Sequence, residues 1–294
     1  MGADARESTA AVLERMCGSG GTLDRNGATS SHRLHVNDPH RRRTIDRIVD
    51  SYLAEQDDVV VGGQFCAIAT AGVPGAGKST SIKKNGLAGR GWRVLDADRV
   101  KDYLIRDALG SGVYRDILAM VLPDGGTLRP RELATLVHLE STKIVDELQE
   151  LCMKRGENIV VEGTFSWPGL GERLLRQLGA AGYERFTIMD VEVSRERAQE
   201  QALQRWWDGR TDTTDELGGR FTPASVIAAL YPAAGSASIC AANARATFDH
   251  PLTGEIHSVE LLVDDFTSGV LVQRVSTRCD GVIAYESDAE PSER

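Results

Sequence analysis

Apolar residues fall into two alternating rhythms along this chain. Short unbroken runs at 65–71 (FCAIATA), 92–96 (WRVLD), 158–163 (NIVVEG) and 185–193 (RFTIMDVEV) read as strands buried on both faces. Before, between and after them, apolar positions recur at helical spacing and predict helices at about 40–54, 78–88, 99–107, 113–121, 131–155, 169–180 and 194–207. A further helix is predicted over 222–231, with an extension to 246 open, then short strands near 257–263, 269–274 and 281–285. Strand, helix, strand at this interval predicts the α/β class, a parallel β-sheet flanked by helices on both faces, with ligands at the carboxyl ends of the strands. Residues 1–38 break the rhythm. Apart from a short helix around 9–16, their GSGGTLDRNGATSS stretch offers nothing to bury. The expectation is a flexible leader over 1–38 and one domain over 39–294, with its core at 60–246 and C-terminal strands at 255–286.

Composition changes this picture mainly by exclusion. The 294 residues are 41% hydrophobic and 26% charged, ordinary proportions for a globular protein. No apolar run approaches the ~20 residues a membrane helix needs, and no secretory signal pattern opens the chain, so a membrane partner is not expected. Five cysteines without a CxxC pair fit free thiols and a cytoplasmic setting. A net charge of −9 argues against a long nucleic acid as partner. The run His40-Arg41-Arg42-Arg43 reads as a solvated face near a helix start. Only six of the 34 basic residues are lysines, so a lysine inside a motif carries weight.

One lysine stands in such a motif. Gly72-Val73-Pro74-Gly75-Ala76-Gly77-Lys78-Ser79 has the spacing GxxxxGK[ST] and continues into Thr80, with a buried strand before it and a helix after it. Glycines let backbone N–H groups turn inward around a phosphate, and the following helix start favours negative charge. Lys78 then bridges the β- and γ-phosphates of ATP, and the Ser79 hydroxyl helps hold Mg²⁺.

Neither an NKxD base reader nor a hydrophobic strand ending in Asp-Glu is present, which argues against a GTPase and an ATPase motor. Instead, the second strand runs into Asp96-Ala97-Asp98-Arg99-Val100-Lys101, where small-molecule kinases place a general base. Asp98 is the favoured carboxylate, while one of the two aspartates can simply cap the next helix. Glu162 ends the third strand, where a carboxylate needs a partner: metal-bound water, a substrate hydroxyl or an arginine. Glu140 falls on the apolar stripe of the helix before that strand, so it either closes a helix–helix ion pair or faces substrate. Arg205 and Arg220 flank a polar loop at 208–219 and look like an arginine-bearing lid over a transferring phosphoryl group. Arg195, Arg197 and Arg210 read as surface or salt-bridge residues, and Trp206 and Trp207 as packing at the base of the lid.

GVPGAGKST, DADRVK, the helix leading into NIVVEGT, QRWWDGR and GGRFTP stand in the order found in the zeta toxin family of bacterial P-loop kinases. The chain resembles that family from about Ala67 to Tyr231. The resemblance implies an enzyme that uses ATP and Mg²⁺ to phosphorylate the sugar 3′-hydroxyl of UDP-N-acetylglucosamine, a toxin held inactive by a small helical antitoxin. By motif position it implies that Lys78 binds phosphates, that Ser79 and Asp98 meet the metal, and that Asp98 deprotonates the sugar. It also implies substrate contacts from Glu162 and Thr164 and stabilising charge from Arg205 and Arg220. Counting back from EGT, the family's other substrate carboxylate falls on Asp146, whereas the apolar stripe favours Glu140. The longer loop between the lid arginines, the leader and the C-terminal strands depart from the family pattern. A polynucleotide 5′-kinase, an antibiotic phosphotransferase and an ATP-gated module without phosphotransfer remain the alternatives.

Overall fold

The computed structural model describes residues 2–232 and 237–287. In chain order the elements are α1 (Gly2–Cys17), α2 (Ser31–Leu34), α3 (Arg41–Ala54), β1 (Cys66–Ala71), α4 (Lys78–Lys84), β2 (Trp92–Asp96), α5 (Ala97–Ser111) and α6 (Arg115–Leu118). A 3₁₀ turn (Pro130–Thr135) leads to α7 (His138–Lys154), β3 (Asn158–Glu162), α8 (Gly169–Ala180), β4 (Arg185–Glu192) and α9 (Arg195–Thr211). After these come α10 (Ala224–Ala228), α11 (Ile239–Phe248), a second 3₁₀ turn (Pro251–Glu255), β5 (Ser258–Asp265), β6 (Val272–Cys279) and β7 (Val282–Glu286). The predicted helix beyond 222 is observed as two, α10 and α11, and residues 233–236 between them lie outside the described residues, as do 288–294 at the end of the expected domain.

The elements gather into two compact units, each built from three stretches of chain. One comprises Met1–Glu55, Ala97–Glu147 and Glu200–Val226; the other comprises Gln56–Asp96, Leu148–Gln199 and Ile227–Arg294.

The second unit holds the whole seven-stranded sheet, in the order β2-β3-β1-β4-β5-β6-β7. The first five strands pair parallel, and β6 and β7 extend the edge as antiparallel strands. All six residues of β1 are buried between β3 and β4, as its unbroken apolar run requires. Helices α8 and α11 pack together so closely that a Cβ on Gly171 would stand 1.8 Å from the Thr247 hydroxyl oxygen. Beneath β2 and β3, buried Arg93 donates to Glu157 at 2.9 Å, and Tyr183 donates its hydroxyl proton to the Glu157 carbonyl at 2.5 Å.

The first unit is helical, and its core corrects two sequence expectations. Residues 2–38 are not a loose leader. The polar stretch after α1 folds on itself: Leu23 N–H donates to the Met16 carbonyl at 2.8 Å, and Gly20 and Asn26 N–H groups donate to the Asp24 carboxylate. That fold turns Leu13, Met16 and Leu23 into one apolar cluster with Tyr114, Leu133, Leu136, Trp206 and Phe221. Its partners lie far along the sequence, so no local window reveals them. Thr135 and Ser31 add long-range hydrogen bonds, to the Leu23 carbonyl at 2.7 Å and the Leu136 carbonyl at 2.9 Å.

The second correction concerns the basic run that opens α3. Arg41 is buried instead of solvated, because Glu140 and Asp107 supply the partners a buried guanidinium needs. Its Nε and Nη2 donate to the two Glu140 oxygens at 2.6 and 2.7 Å, a bidentate pair. Arg42, by contrast, stays exposed and pairs with Asp46 and Glu147.

Leu13 is fully buried in this cluster. Leu13→Ala should therefore cost ~2–5 kcal/mol of unfolding free energy, read by denaturant titration; a cost near zero would mean that residues 2–38 are not part of the core.

Candidate active site

The chemistry-bearing residues divide between the two units. In the sheet-bearing unit, β1 ends at Ala71 and the chain turns sharply through the phosphate loop. Gly72, Gly75 and Gly77 have φ of 127°, 89° and 94°, a region that side chains disfavour. At Gly72 there is also no room, since a Cβ would stand 2.5 Å from the Val191 carbonyl oxygen. Val73 and Ala76 are buried, Pro74 and Gly75 are half-buried, and Gly77, Ser79 and Thr80 are exposed. The Lys78 ammonium folds back over the loop and donates to the Gly72 and Val73 carbonyls at 2.8 and 3.0 Å.

The end of β3 is fastened to this loop. The Thr70 hydroxyl donates to the Gly163 carbonyl and accepts from the Gly163 N–H, both at 2.9 Å. Gly72 N–H donates to the Thr164 carbonyl at 3.1 Å. Glu162 thereby faces Ser79, whose hydroxyl donates to its carboxylate at 3.3 and 3.5 Å. Asp96, the last residue of β2, lies in register with Glu162. Phe165 is buried in the left-handed region at φ 62°, and its carbonyl accepts from Asn243 at 2.9 Å. The Thr164 hydroxyl donates to Ser166 at 2.9 Å.

In the helical unit, Asp98 lies in the first turn of α5 between two cations. Lys101 donates to one carboxylate oxygen at 2.9 Å, and Arg220 pairs with the other at 2.9 Å. Burial opposes ionisation, but the Lys101 and Arg220 charges, with Arg205 adding to them, hold its carboxyl far below the usual range. Arg220 also donates to Asp102, which Arg131 grips through Nε and Nη2 at about 3.0 Å. Arg131 in turn donates to the Gly218 carbonyl at 2.8 Å, fastening the Gly218-Gly219-Arg220 turn. That turn presses against α9: a Cβ on Gly219 would stand 1.9 Å from the Trp206 carbonyl oxygen. Arg205 is exposed on α9.

Glu140 and Asp146 part company. The Glu140 carboxylate is consumed by Arg41 and is held below its ordinary pKa: burial opposes ionisation, but the Arg41 hydrogen bonds and charge outweigh it. The helix–helix ion pair is the alternative realised, and Glu140 is not offered to a substrate. Asp146 is half-buried on another part of α7. Trp206 is fully buried, donating its indole N–H to Glu132 at 2.8 Å, so it packs and does not stack on a base. Arg210 is a buried salt-bridge residue, paired with Asp124 and Glu132.

Sequence reasoning missed three groups. Lys101 stands inside DADRVK but received no role, and Arg131 with Asp102 gave no local signal. Asp190 is the third: it lies in β4 opposite Ala71, is 2% exposed, and its Oδ1 has no hydrogen-bond partner among the described residues. Burial, reinforced by the Glu192 and Asp265 charges, pushes its pKa up to about 8. Two carboxylates, Asp190 and Glu192, inside the otherwise apolar run FTIMDVEV were the available clue.

A mostly parallel sheet whose buried central strand runs into a glycine-rich loop with a basic residue folded over it has the fold of a P-loop kinase. Residues 49–253 match the family model described as zeta toxin, and the chain belongs to the zeta toxin family. The family fold is that of P-loop phosphotransferases. Solved structures share the architecture at low identity. One comes from the PezAT chromosomal toxin–antitoxin system of Streptococcus pneumoniae, with 14% identity and a TM-score of 0.52, covering 83% of this chain and 80% of that one. Another is AvrRxo1-ORF1:-ORF2 with ATP, with 15% identity and a TM-score of 0.54, covering 84% of this chain and 69% of that one. No curated protein matches the sequence. Among the described residues no helix is long and apolar enough to cross a membrane.

Because Asp190 stays protonated when folded while its ordinary value is 3.8, folding holds a proton that the unfolded chain releases as pH rises from about 4 to about 8. Its burial thus becomes steadily more costly across that window. Asp190→Asn should raise the melting temperature more at pH 8 than at pH 4; an equal shift at both would show that the carboxyl titrates normally.

Proposed function

We propose that the protein is an ATP-dependent kinase that phosphorylates a hydroxyl of a UDP-activated amino sugar such as UDP-N-acetylglucosamine. On this reading it is the toxin of a toxin–antitoxin pair, acting in the cytoplasm and restrained by a small helical antitoxin. The observation that carries the reading is the joined geometry of loop and third strand: Lys78 over Gly72 and Val73, Ser79 against Glu162, and Thr164 bonded to Gly72.

Each residue then has a chemical task. The Lys78 ammonium exchanges its two carbonyl partners for β- and γ-phosphate oxygens, and Gly72, Val73, Pro74, Gly75, Ala76, Gly77, Ser79 and Thr80 surround the phosphates. The Ser79 hydroxyl and the Glu162 carboxylate are hard oxygen donors, the kind Mg²⁺ takes alongside waters and phosphates. Such a cation supplies neutralising charge on the phosphates. Lys101 and Arg220 already neutralise Asp98, which makes Asp98 a weaker metal ligand than Glu162 and leaves it the base. A carboxylate this acidic accepts the hydroxyl proton late, once the oxygen is bonding to phosphorus and its proton has become strongly acidic. Glu162, Thr164 and Asp146 are the remaining polar groups for the sugar nucleotide. Arg205 and Arg220 stabilise charge spread over the transferring phosphoryl group.

Incubation with labelled ATP, Mg²⁺ and a metabolite panel, read by product mass, tests the acceptor. A phosphorylated UDP-amino sugar is expected; phosphorylation only of an oligonucleotide 5′ end or an aminoglycoside would reassign it. Lys78→Ala should abolish transfer. Asp98→Asn should keep ATP binding and thermal stability yet lose ~10²–10⁴ in rate, and Asp96→Asn should be milder; the reverse ranking would move the base to Asp96.

Arg205 is exposed and its charge reaches Asp98. Arg205→Ala should lower kcat more than it raises the KM for ATP, since such charges act mainly in the transition state. A change confined to KM would reduce its role to ground-state binding.

A further inference from the structure

The stretch ahead of the family match at residues 49–253 is bonded to both segments that carry the lid arginines. The contacts all lie within the helical unit. From α1, Arg6 donates to Glu200 at 2.9 Å and to Gln204 at 2.7 Å, so it grips α9 over the turn before Arg205. One helical turn from Cys17, the Glu14 carboxylate accepts the N–H groups of Ala224 at 2.7 Å and Ser225 at 3.1 Å, and the Ser225 hydroxyl as well. Those N–H groups open α10, four residues beyond Arg220. Pro223 precedes them and has no side chain able to cap, so Glu14 does the capping from the far end of the sequence.

Between these two polar contacts lies an apolar one. Each lid arginine is followed by a buried aromatic residue, Arg205 by Trp206 and Arg220 by Phe221. The two rings meet edge to face at 5.1 Å and 75°. Leu13, Met16 and Leu23 belong to the same cluster as those rings. The N-terminal stretch therefore fixes the backbone on both sides of the polar loop at 208–219.

We propose that residues 2–38 are a built-in positioning element for the lid arginines, with Glu14 as the positioning residue for Arg220. This rests on the kinase reading above for its rate consequence, though not for its geometry. Glu14 acts through the backbone: it holds the segment whose Arg220 bonds Asp98 and Asp102. Displacing a positioned group by about 1 Å can cost on the order of 10²-fold in rate.

Two measurements on the full chain test this. Hydrogen exchange should show the Ala224 and Ser225 amides protected in the unaltered protein and fast in Glu14→Ala, with Glu14→Gln intermediate, because the amide oxygen still accepts. Kinetics should show Glu14→Ala lowering kcat on the order of 10- to 10²-fold with the KM for ATP within about 2-fold. The effect should vanish in an Arg220→Ala background, since coupled residues are not additive. Unchanged amide exchange, or a Glu14→Ala loss that persists in full without Arg220, would overturn the proposal. A protein inactive with every acceptor would instead remove the kinase reading, leaving the exchange result to decide the geometry.

Discussion

Everything the phosphate loop does depends on the close approach of two backbones. Gly72 leaves β1 with its α-carbon against the Val191 carbonyl of β4, at a φ of 127° that only glycine adopts without strain. Once there, its N–H reaches the Thr164 carbonyl and its own carbonyl reaches Lys78. One residue thus touches three strands' worth of structure: it terminates β1, seats on β4 and hangs the Glu162-Gly163-Thr164 segment of β3 beside the loop. Thr70 completes the attachment by using its one hydroxyl twice on Gly163. The carboxylate of Glu162 is brought to Ser79 by backbone hydrogen bonding, with no long side chain needed to span the gap.

The helical unit solves its own positioning problem with charge. Arg131 is a hub, holding Asp102 on one side and the Gly218 carbonyl on the other, while Asp102 passes the chain of contacts to Arg220. Deeper in, Glu132 collects Trp206, Arg210 and the Arg129 N–H. Such webs are expensive to desolvate and contribute little net stability compared with apolar packing. What they add is direction: guanidinium planes and carboxylate forks bond only in a narrow range of orientations.

Legibility in the sequence tracks the distance over which each feature is encoded. The phosphate loop, β1 to β4 and α8 over 169–180 are written in contiguous residues and agree with the structure closely. The long predicted helix at 131–155 is broken near 136 because Pro130 and Glu132 organise a separate 3₁₀ turn. Arg41 reads as solvated because its partner Glu140 lies 99 residues away. Leu23 reads as having nothing to bury because Trp206 and Phe221 are out of sight of any window. Asp190 was hidden differently: it sits within an apolar run whose strand character is right, and the burial of its Oδ1 with no hydrogen-bond partner among the described residues is what marks it out. The candidate site residues were therefore easier to name than the residues that hold them still.

The order of strands in the sheet differs from their order in the chain, and this bears on how the protein is made. Of the seven described strands β1 is synthesised first, yet its neighbours are β3, beginning at Asn158, and β4, beginning at Arg185. Until both have been synthesised, the strand Cys66–Ala71 is a bare apolar ribbon with two open edges, and the loop after it has no Val191 to seat on. Sheets closed by such distant partners gather slowly, because chain-closure entropy is spent before the contacts repay it. Between the synthesis of Ala71 and that of Val191, the central strand has neither its β4 partner nor the carbonyl on which the loop seats, so the loop takes shape only once some 120 further residues have been added.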